Sequence, residues 1–315
     1  MSVAFIPSPA RSVWHVGPIP VRADALCVVA GVAVGLWIAD RRYRRIGGRD
    51  GTVLEIATLA VPAGLVGARL YSVLTNYSLY LGHGRSWVGI LRIWDGGLGL
   101  PGAMAGAALA AWIYSRRAGI ALGPVAGAAA PALAFAQAIG CWGGWFSQNL
   151  YGWPAALPWA VEISPARRAS GYESYATFQP VFLYESLWAI GLGVLLIYAS
   201  RRLLLTGGRI FAVYAALYAI GRLGAEALRI VGPAYLFGFR VNQVMMIGVL
   251  VAALAYLQVS RARRGPELAV GANGAPGRRA AAVTAAQAPG QDGSASHAIE
   301  GLAPTEAGDT AATSQ

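Results

Sequence analysis

The sequence predicts an all-α polytopic membrane protein with seven transmembrane helices, the N-terminus outside, the C-terminus cytoplasmic, and an extracytoplasmic head loop. Three observations support this fold class. Hydrophobic residues make up 56% of the 315 residues, and charged residues only 12%. The mean hydropathy is +0.51, and several apolar runs approach the roughly 20 residues that cross a bilayer core. The basic residues, all of them arginine, gather at the ends of these runs.

Seven apolar runs are the predicted spans. In chain order they cover about residues 23–39, 53–74, 97–114, 122–140, 179–200, 210–230 and 237–258. Small residues recur within them, as at Gly31 and Gly35 of the first run. Small residues let neighbouring helices approach closely in a membrane, so we interpret these glycines as packing positions.

The arginines predict the orientation of the chain. Clusters follow the first, third and seventh runs and separate the fifth from the sixth: Arg41, Arg42, Arg44, Arg45, Arg49, Arg116, Arg117, Arg201, Arg202, Arg209, Arg261, Arg263 and Arg264. If the runs alternate in direction, these clusters share one side, and the positive-inside rule makes that side cytoplasmic. Residues 1–260 are therefore predicted to form the membrane domain, with residues 141–178 as its extracytoplasmic loop. Residues 261–315, rich in Ala, Gly and Pro, are predicted to be a disordered cytoplasmic tail.

Several classes of function are disfavoured by the composition. The net charge of +11 does not indicate nucleic-acid binding, because arginines at helix ends fit membrane topology better than groove binding. Cys27 and Cys141 form no disulfide framework and lack the spacing of metal ligands. The three histidines also lack the spacing of a metal site or of a nucleophile–base pair. We therefore expect no metal, no cofactor and no nucleic-acid partner.

Three charged residues lie within the sixth run. Arg222, Glu226 and Arg229 are spaced at i, i+4 and i+7, which places them on one helical face. Charges inside a membrane are costly and often mark a functional site. Such a face can hold a lipid phosphate, with Arg222 supplying a planar fork of donors and Glu226 fixing its orientation. The alternative is a structural ion pair that joins helices.

Other spans carry polar residues at a similar depth. Arg69 lies within the second run, Glu185 just inside the fifth, and Arg240, Asn242 and Gln243 open the seventh. Each of them alone is compatible with an interfacial anchor. Together they place polar groups from four spans on the outer side, which predicts a binding site for a lipid headgroup between the helices.

Short motifs in a fixed order carry a resemblance to a known family. They are IPSP, VWHVGPIPVR, GARLY, IWDGGLG, GCWGGWFSQNLYG, PVFLYES, GRLGAEALR and RVNQ. This order resembles the prolipoprotein diacylglyceryl transferases, particularly their actinobacterial branch, from about residue 5 to residue 258. The resemblance implies a multi-pass enzyme of the bacterial plasma membrane. Such an enzyme moves diacylglyceryl from phosphatidylglycerol to the lipobox cysteine of lipoprotein precursors, whose signal peptides it binds, and releases glycerol phosphate.

The resemblance also implies roles for individual residues. Arg222 and Glu226 would be the catalytic pair that binds and orients the phosphate. The implied substrate-binding residues are Cys141, Arg69, Arg229, Arg240, Asn242 and Gly152.

The signature between residues 140 and 152 departs from the family pattern at its polar positions. Gly140, Gly143, Trp145 and Gly152 match. The departures are Cys141 at the phospholipid-binding Arg, Gly144 and Ser147 at two Asn positions, and Asn149 at a Glu position. A thiol has neither a fixed charge nor a fork of donors. These departures leave an alternative function open, that of a catalytically impaired paralogue that binds phospholipid or lipoprotein signal peptides.

Overall fold

The structure is a computed structural model that describes residues 5–9, 11–16, 19–75, 99–202, 207–230, 235–236 and 239–262. Eight α-helices lie within these ranges. They are α1 (Ala23–Arg45), α2 (Thr52–Thr75), α3 (Leu100–Arg117), α4 (Leu122–Gly140), α5 (Trp142–Ser147), α6 (Val181–Arg202), α7 (Gly207–Leu228) and α8 (Val241–Ala262). The described part of the chain is mostly helical, as the sequence predicts.

A helix occupies each of the seven predicted spans. Six of the described helices are long and apolar enough to cross a membrane, the α4 segment being counted together with the short α5 that follows it. The helix at the third predicted span, α3, has 18 residues and is rich in Ala and Gly. The structure is therefore that of a polytopic membrane protein.

Three predicted spans begin later in the structure than the sequence predicts. The third begins at Leu100 rather than 97, with Gly99 as its N-cap. The fifth begins at Val181 rather than 179, directly after Pro180. The seventh begins at Val241 rather than 237, because Phe239–Arg240 form a strand paired with Tyr235–Leu236. Backbone that pairs in a hairpin cannot also enter the helical hydrogen-bond ladder, so an apolar run alone does not locate the first turn.

Small residues bring pairs of helices into close contact. A Cβ atom added at Gly67 of α2 would overlap the carbonyl oxygen of Gly102 on α3. A Cβ atom added at Gly31 of α1 would lie 2.5 Å from the carbonyl oxygen of Ala136 on α4. The backbones therefore approach so closely that only glycine fits, which supports the packing interpretation of the small-residue pattern.

Helix α4 lies at the centre of the membrane domain. It packs against α1, α6 and α7, and Ala130 and Ala134 on it are fully buried. One core cluster joins these alanines to Leu196 of α6 and Ile210 of α7. The arrangement brings the ends of α4, α6 and α7 together on the side where α4 continues into the head loop.

Short strands and an aromatic core build the head. Strand β1 (Val13–Val16) pairs with β2 (Ile19–Arg22), and β3 (Val161–Glu162) pairs with β4 (Thr177–Phe178). The remaining pair is β5 (Tyr235–Leu236) with β6 (Phe239–Arg240). A 3-10 turn covers Pro165–Arg167. Tyr151, Val161, Ile163, Phe178 and Phe182 form one buried cluster, so the head is anchored on the first turn of α6.

Some of the sequence predictions concern residues that the structure does not describe. The predicted tail 261–315 lies outside the described residues, apart from the last two residues of α8. The side chain of Arg240 also lies outside the description, although its backbone forms part of β6.

Candidate functional site

The predicted charged face of α7 forms a linked group in the structure. Arg222 Nη2 lies 3.8 Å from Glu226 Oε2, and Arg229 Nη1 lies 3.6 Å from the same oxygen. Only 1% of the Glu226 side chain is exposed, against 14% for Arg222 and 16% for Arg229. The i, i+4 and i+7 spacing therefore places one buried carboxylate between two guanidinium groups, as the sequence predicts.

Glu185 of α6 supplies a second carboxylate. Its Oε1 accepts a short, charge-assisted hydrogen bond from Arg222 Nη1, and the Glu185 side chain is only 8% exposed. The sequence predicts that Glu185 lies near this depth but does not identify its partner. The pair connects residues 37 positions apart, so no local spacing could have revealed the contact.

Cys141 lies next to the same carboxylate. It is the C-terminal cap of α4, and its thiol donates to Glu185 Oε2 at 3.8 Å. The two oxygens of Glu185 thus face a thiol on one side and the Arg222 guanidinium on the other. The predicted substrate-binding position 141 is therefore adjacent to the predicted catalytic Arg222, with a neutral side chain in place.

Tyr218 completes the buried surroundings of this group. It lies one helical turn before Arg222, is only 5% exposed, and is within electrostatic range of Arg222, Glu185 and Cys141. Tyr218 is not among the site residues predicted from the sequence. Its i, i+4 spacing to Arg222 was the available signal, but an aromatic residue inside an apolar span is more often part of the core.

Gly152 brings the head loop against the end of α7. It forms an isolated antiparallel bridge with Arg229, and its N–H donates to the carbonyl of Gln179 at 2.9 Å. A Cβ atom at Gly152 would lie 2.5 Å from the carbonyl oxygen of Leu228. The position requires glycine because two backbones cross there, which places Gly152 beside Arg229.

The polar residues of the 140–152 segment hold the turn itself. Ser147 Oγ donates to the carbonyl of Gly143 at 2.8 Å. Gln148 adopts a left-handed backbone with φ of 51°; its Oε1 accepts from Ser164 N, and its Nε2 donates to the carbonyl of Pro9. Asn149 is exposed. The segment therefore ends α4, forms α5 and ties the head together.

The remaining predicted residues lie on α2, β6 and α8. Arg69 of α2 is only 7% exposed, and Asn242 lies half-buried in the first turn of α8. The two helices meet near this level, where the hydroxyl of Tyr71 lies 3.6 Å from the sulfur of Met245. The structure thus joins Arg222, Glu226, Arg229, Cys141 and Gly152 in one place and puts Arg69 and Asn242 on a neighbouring pair of helices.

The electrostatics of the four linked charges are balanced. Glu185 and Glu226 face Arg222 and Arg229, and all four side chains are mostly buried. Buried charges at membrane depth persist only when they are paired. An anion that enters this group meets guanidinium groups that already hold carboxylates, so it must share or replace those contacts. The arrangement suits a phosphate ester, whose oxygens match the fork of an arginine.

Comparison with known proteins decides the family. The model of the prolipoprotein diacylglyceryl transferase family matches residues 11–259. The chain belongs to the prolipoprotein diacylglyceryl transferase family. The matched region contains every residue of the linked group and ends within α8.

Close relatives carry the name of the same enzyme. Phosphatidylglycerol–prolipoprotein diacylglyceryl transferase 1 of Streptomyces coelicolor is 46% identical over 94% of this chain and 82% of its own length. The Streptomyces avermitilis transferase is 48% identical, covering 84% of this chain and 77% of its own length. Streptomyces coelicolor also has a transferase named 2, which is 46% identical over 84% of this chain. Two members of the diacylglyceryl transferase family therefore occur together in that organism.

Proposed function

We propose that this protein is a phosphatidylglycerol–prolipoprotein diacylglyceryl transferase of the bacterial plasma membrane. It transfers diacylglyceryl from phosphatidylglycerol to the lipobox cysteine of lipoprotein precursors. The observation that carries the proposal is the buried group of Arg222, Glu226, Arg229 and Glu185 in a chain of this family. Its depth and charge suit the headgroup of a phospholipid that enters sideways from the bilayer.

The proposed topology places this group on the outer side. Seven spans, an outer N-terminus and a cytoplasmic C-terminus put the arginine clusters inside the cell. The end of α7 that carries Arg222 then faces the outer leaflet, together with the head loop of residues 141–178. The signal peptide of a lipoprotein precursor would present its cysteine at the same level.

The proposed reaction is a displacement at the glycerol carbon that bears the phosphate ester. The lipobox sulfur, as a thiolate, forms a bond to that carbon, the carbon–oxygen bond to phosphate breaks, and glycerol phosphate leaves. Arg222 binds the phosphate and neutralises charge that develops on the leaving oxygen. Glu226 and Glu185 orient the guanidinium. Arg229, Arg69, Arg240 and Asn242 support the headgroup.

A second candidate function is favoured by one observation. At position 141, where the family resemblance implies an arginine, the neutral thiol of Cys141 faces Glu185. The protein would then bind phospholipid or lipoprotein signal peptides without efficient transfer. Loss of one positioned charge that acts mainly in the transition state costs on the order of 3 kcal/mol, about a hundredfold in rate.

One experiment separates the two candidates. The native chain is tested for complementation in a strain depleted of its own transferase, and in parallel for phosphatidylglycerol retention after purification. Growth together with lipid retention supports the transferase. Retention without growth, or without transfer to a lipobox peptide, supports the binding protein.

A variant checks the site in both cases. Arg222→Ala should abolish phosphatidylglycerol retention, whereas Arg278→Ala in the C-terminal segment should leave it unchanged. Equal retention by the two variants would show that the charged group of α7 is only structural.

A further inference from the structure

A second group of arginines lies at the opposite end of the membrane domain from the Arg222 group. Helix α1 ends in Arg41, Arg42, Arg44 and Arg45, and α6 ends in Arg201 and Arg202. The two ends are linked, since Arg42 Nη2 donates to Ser200 Oγ at 3.2 Å. The arginines that end α1 therefore lie next to those that end α6.

Some of the neighbouring arginines already have partners. Arg44 pairs with Asp40 at 2.9 Å and with Asp50 at 3.6 Å. Arg49 pairs with Glu55 at 2.7 Å. The guanidinium of Arg41 lies 5.6 Å from the centre of the Trp37 ring, one helical turn away. These contacts stabilise exposed side chains along the helix surface.

Arg42 is different from these arginines, and Arg45 and Arg201 are its charged neighbours. Among the residues that the structure describes, Arg42, Arg45 and Arg201 form no ion pair with a carboxylate. Arg45 and Arg201 are close enough to repel Arg42 electrostatically. Arg42 is half-buried, and its Nε is buried without a hydrogen-bond partner in the described part of the chain. Two like charges beside a partly desolvated guanidinium are unfavourable unless an anion lies between the three groups.

The start of α4 adds to the positive potential. Its N-cap, Ala121, makes no side-chain cap hydrogen bond, and its first turn contains no acidic residue. Val125 of this helix shares a core cluster with Tyr43, the neighbour of Arg42. The positive end of the α4 dipole therefore lies near the level of the three arginines, where it also favours an anion.

We propose that Arg42, Arg45 and Arg201 form a binding site for the phosphate of an anionic phospholipid in the cytoplasmic leaflet. Ser200 Oγ accepts from Arg42 and donates its own proton to the carbonyl of Ile197 at 2.8 Å, so it positions Arg42 rather than contacting the phosphate. The ligand is a headgroup phosphate because the arginines end two membrane spans and thus lie where lipid phosphates lie. This site is separate from the Arg222 group and does not depend on transferase activity.

The test uses the full chain in nanodiscs of phosphatidylcholine with or without cardiolipin. Native mass spectrometry counts retained anionic lipids, and thermal unfolding reports the stabilisation they provide. Arg45→Gln combined with Arg201→Gln should lower cardiolipin retention at least about 100-fold, because each arginine loses a charge-assisted hydrogen bond to the phosphate that is worth about tenfold or more. Both positions are exposed, so the variant should fold normally. Arg42→Gln should add to the loss, and Arg42→Lys should retain part of the binding.

The matched control is Arg41→Gln combined with Arg202→Gln. It removes the same charge from adjacent exposed positions and should lower retention by no more than about 25-fold, which is the general attraction of two surface arginines to an anionic leaflet at about fivefold each. Equal loss in both double variants would overturn the proposal, as it would show a general charge effect. Unchanged retention in the Arg45/Arg201 variant would also overturn it. If inorganic phosphate restores the unfolding midpoint as well as cardiolipin does, the site holds free phosphate rather than a lipid.

Discussion

At the scale of single residues, one carboxylate organises the candidate site. Glu185 holds Arg222 through one oxygen and accepts from the Cys141 thiol through the other. Because both oxygens are used and the side chain is 8% exposed, Glu185 determines how available Arg222 is to a phosphate. It also provides a ready counter-ion for a positive charge at position 141.

We predict that Glu185→Gln destabilises the protein strongly. Breaking a buried ion pair by removing one partner costs about 3–5 kcal/mol, because the other charge stays buried. The midpoint of thermal unfolding should fall for Glu185→Gln and recover partly when Arg222→Gln is added. Glu173→Gln in the head is the control, since its carboxylate is exposed and accepts from the backbone N–H of Gly171 rather than from a charged side chain. Equal shifts of the unfolding midpoint for Glu185→Gln and Glu173→Gln would show that the buried Glu185–Arg222 pair stabilises the protein no more than an exposed carboxylate does.

We predict that Cys141→Arg folds and raises transfer to a lipobox peptide, by up to about a hundredfold. The new guanidinium would find Glu185, whose Oε2 now accepts from the thiol, so it would not be an unpaired buried charge. Cys141→Ser, which adds no charge, is the control and should leave the rate unchanged. A Cys141→Arg protein that folds and binds phosphatidylglycerol but transfers no faster would contradict this prediction.

The other departures from the family signature are harder to reverse. A Cβ atom at Gly144 would lie 2.6 Å from Leu150 Cβ, and that atom cannot move without its backbone. We predict that adding Gly144→Asn to Cys141→Arg lowers the unfolding midpoint, whereas adding Asn149→Glu at an exposed position does not. Leu150→Gly, which removes that Cβ atom, should relieve the Gly144→Asn effect relative to Leu150→Gly alone if the contact is its cause. Destabilisation that persists in the Leu150→Gly background would show a different cause.

At the scale of elements, the small-residue pattern determines which helices pair closely. Helices α2 and α3 touch through Gly67, Gly102 and Gly106, where no side chain fits. Helices α6 and α7 are held together differently, by the Glu185–Arg222 ion pair. Because lipid supplies little hydrophobic drive between helices, close packing and polar contacts together stabilise the bundle.

We predict that Gly67→Ala separates α2 from α3 and lowers the unfolding midpoint. Its added methyl group would overlap the backbone of Gly102, which cannot rotate away. Gly191→Ala in α6 is the matched control, because a Cβ atom there meets nothing within 4 Å. The control should be neutral or more stable by up to about 1 kcal/mol, the usual gain of Ala over Gly in a helix. A neutral Gly67→Ala variant would mean that α2 and α3 are not packed this closely.

At the scale of the whole molecule, the protein is apolar outside and polar at selected points inside. Leu74 is 73% exposed, and Trp37 and Leu187 are each 59% exposed. By contrast, Glu226 is 1% exposed and Arg69 is 7% exposed. A water-soluble protein places these groups the other way round, so only a lipid environment makes this distribution stable.

We predict that the C-terminal end of α8 faces the cytoplasm. A reporter that works only in the cytoplasm should be active when fused after residue 260, because the arginine clusters that follow α1, α3 and α6 are predicted to lie on the same side as that end. A fusion within the 141–178 head loop is the matched control and should report the outer side. An extracytoplasmic signal after residue 260 would contradict the orientation and the location of the Arg42 site.

The sequence by itself determined the features that depend on neighbouring residues. Hydropathy located helices at all seven predicted spans, and the i, i+4, i+7 spacing placed Arg222, Glu226 and Arg229 on one face, because a helix fixes the direction of each side chain. Only the tertiary structure decided what faces them. Glu185 reaches Arg222 across 37 residues of chain, and Cys141 reaches Glu185 across 44. Such contacts depend on how α4, α6 and α7 pack, which no local pattern encodes.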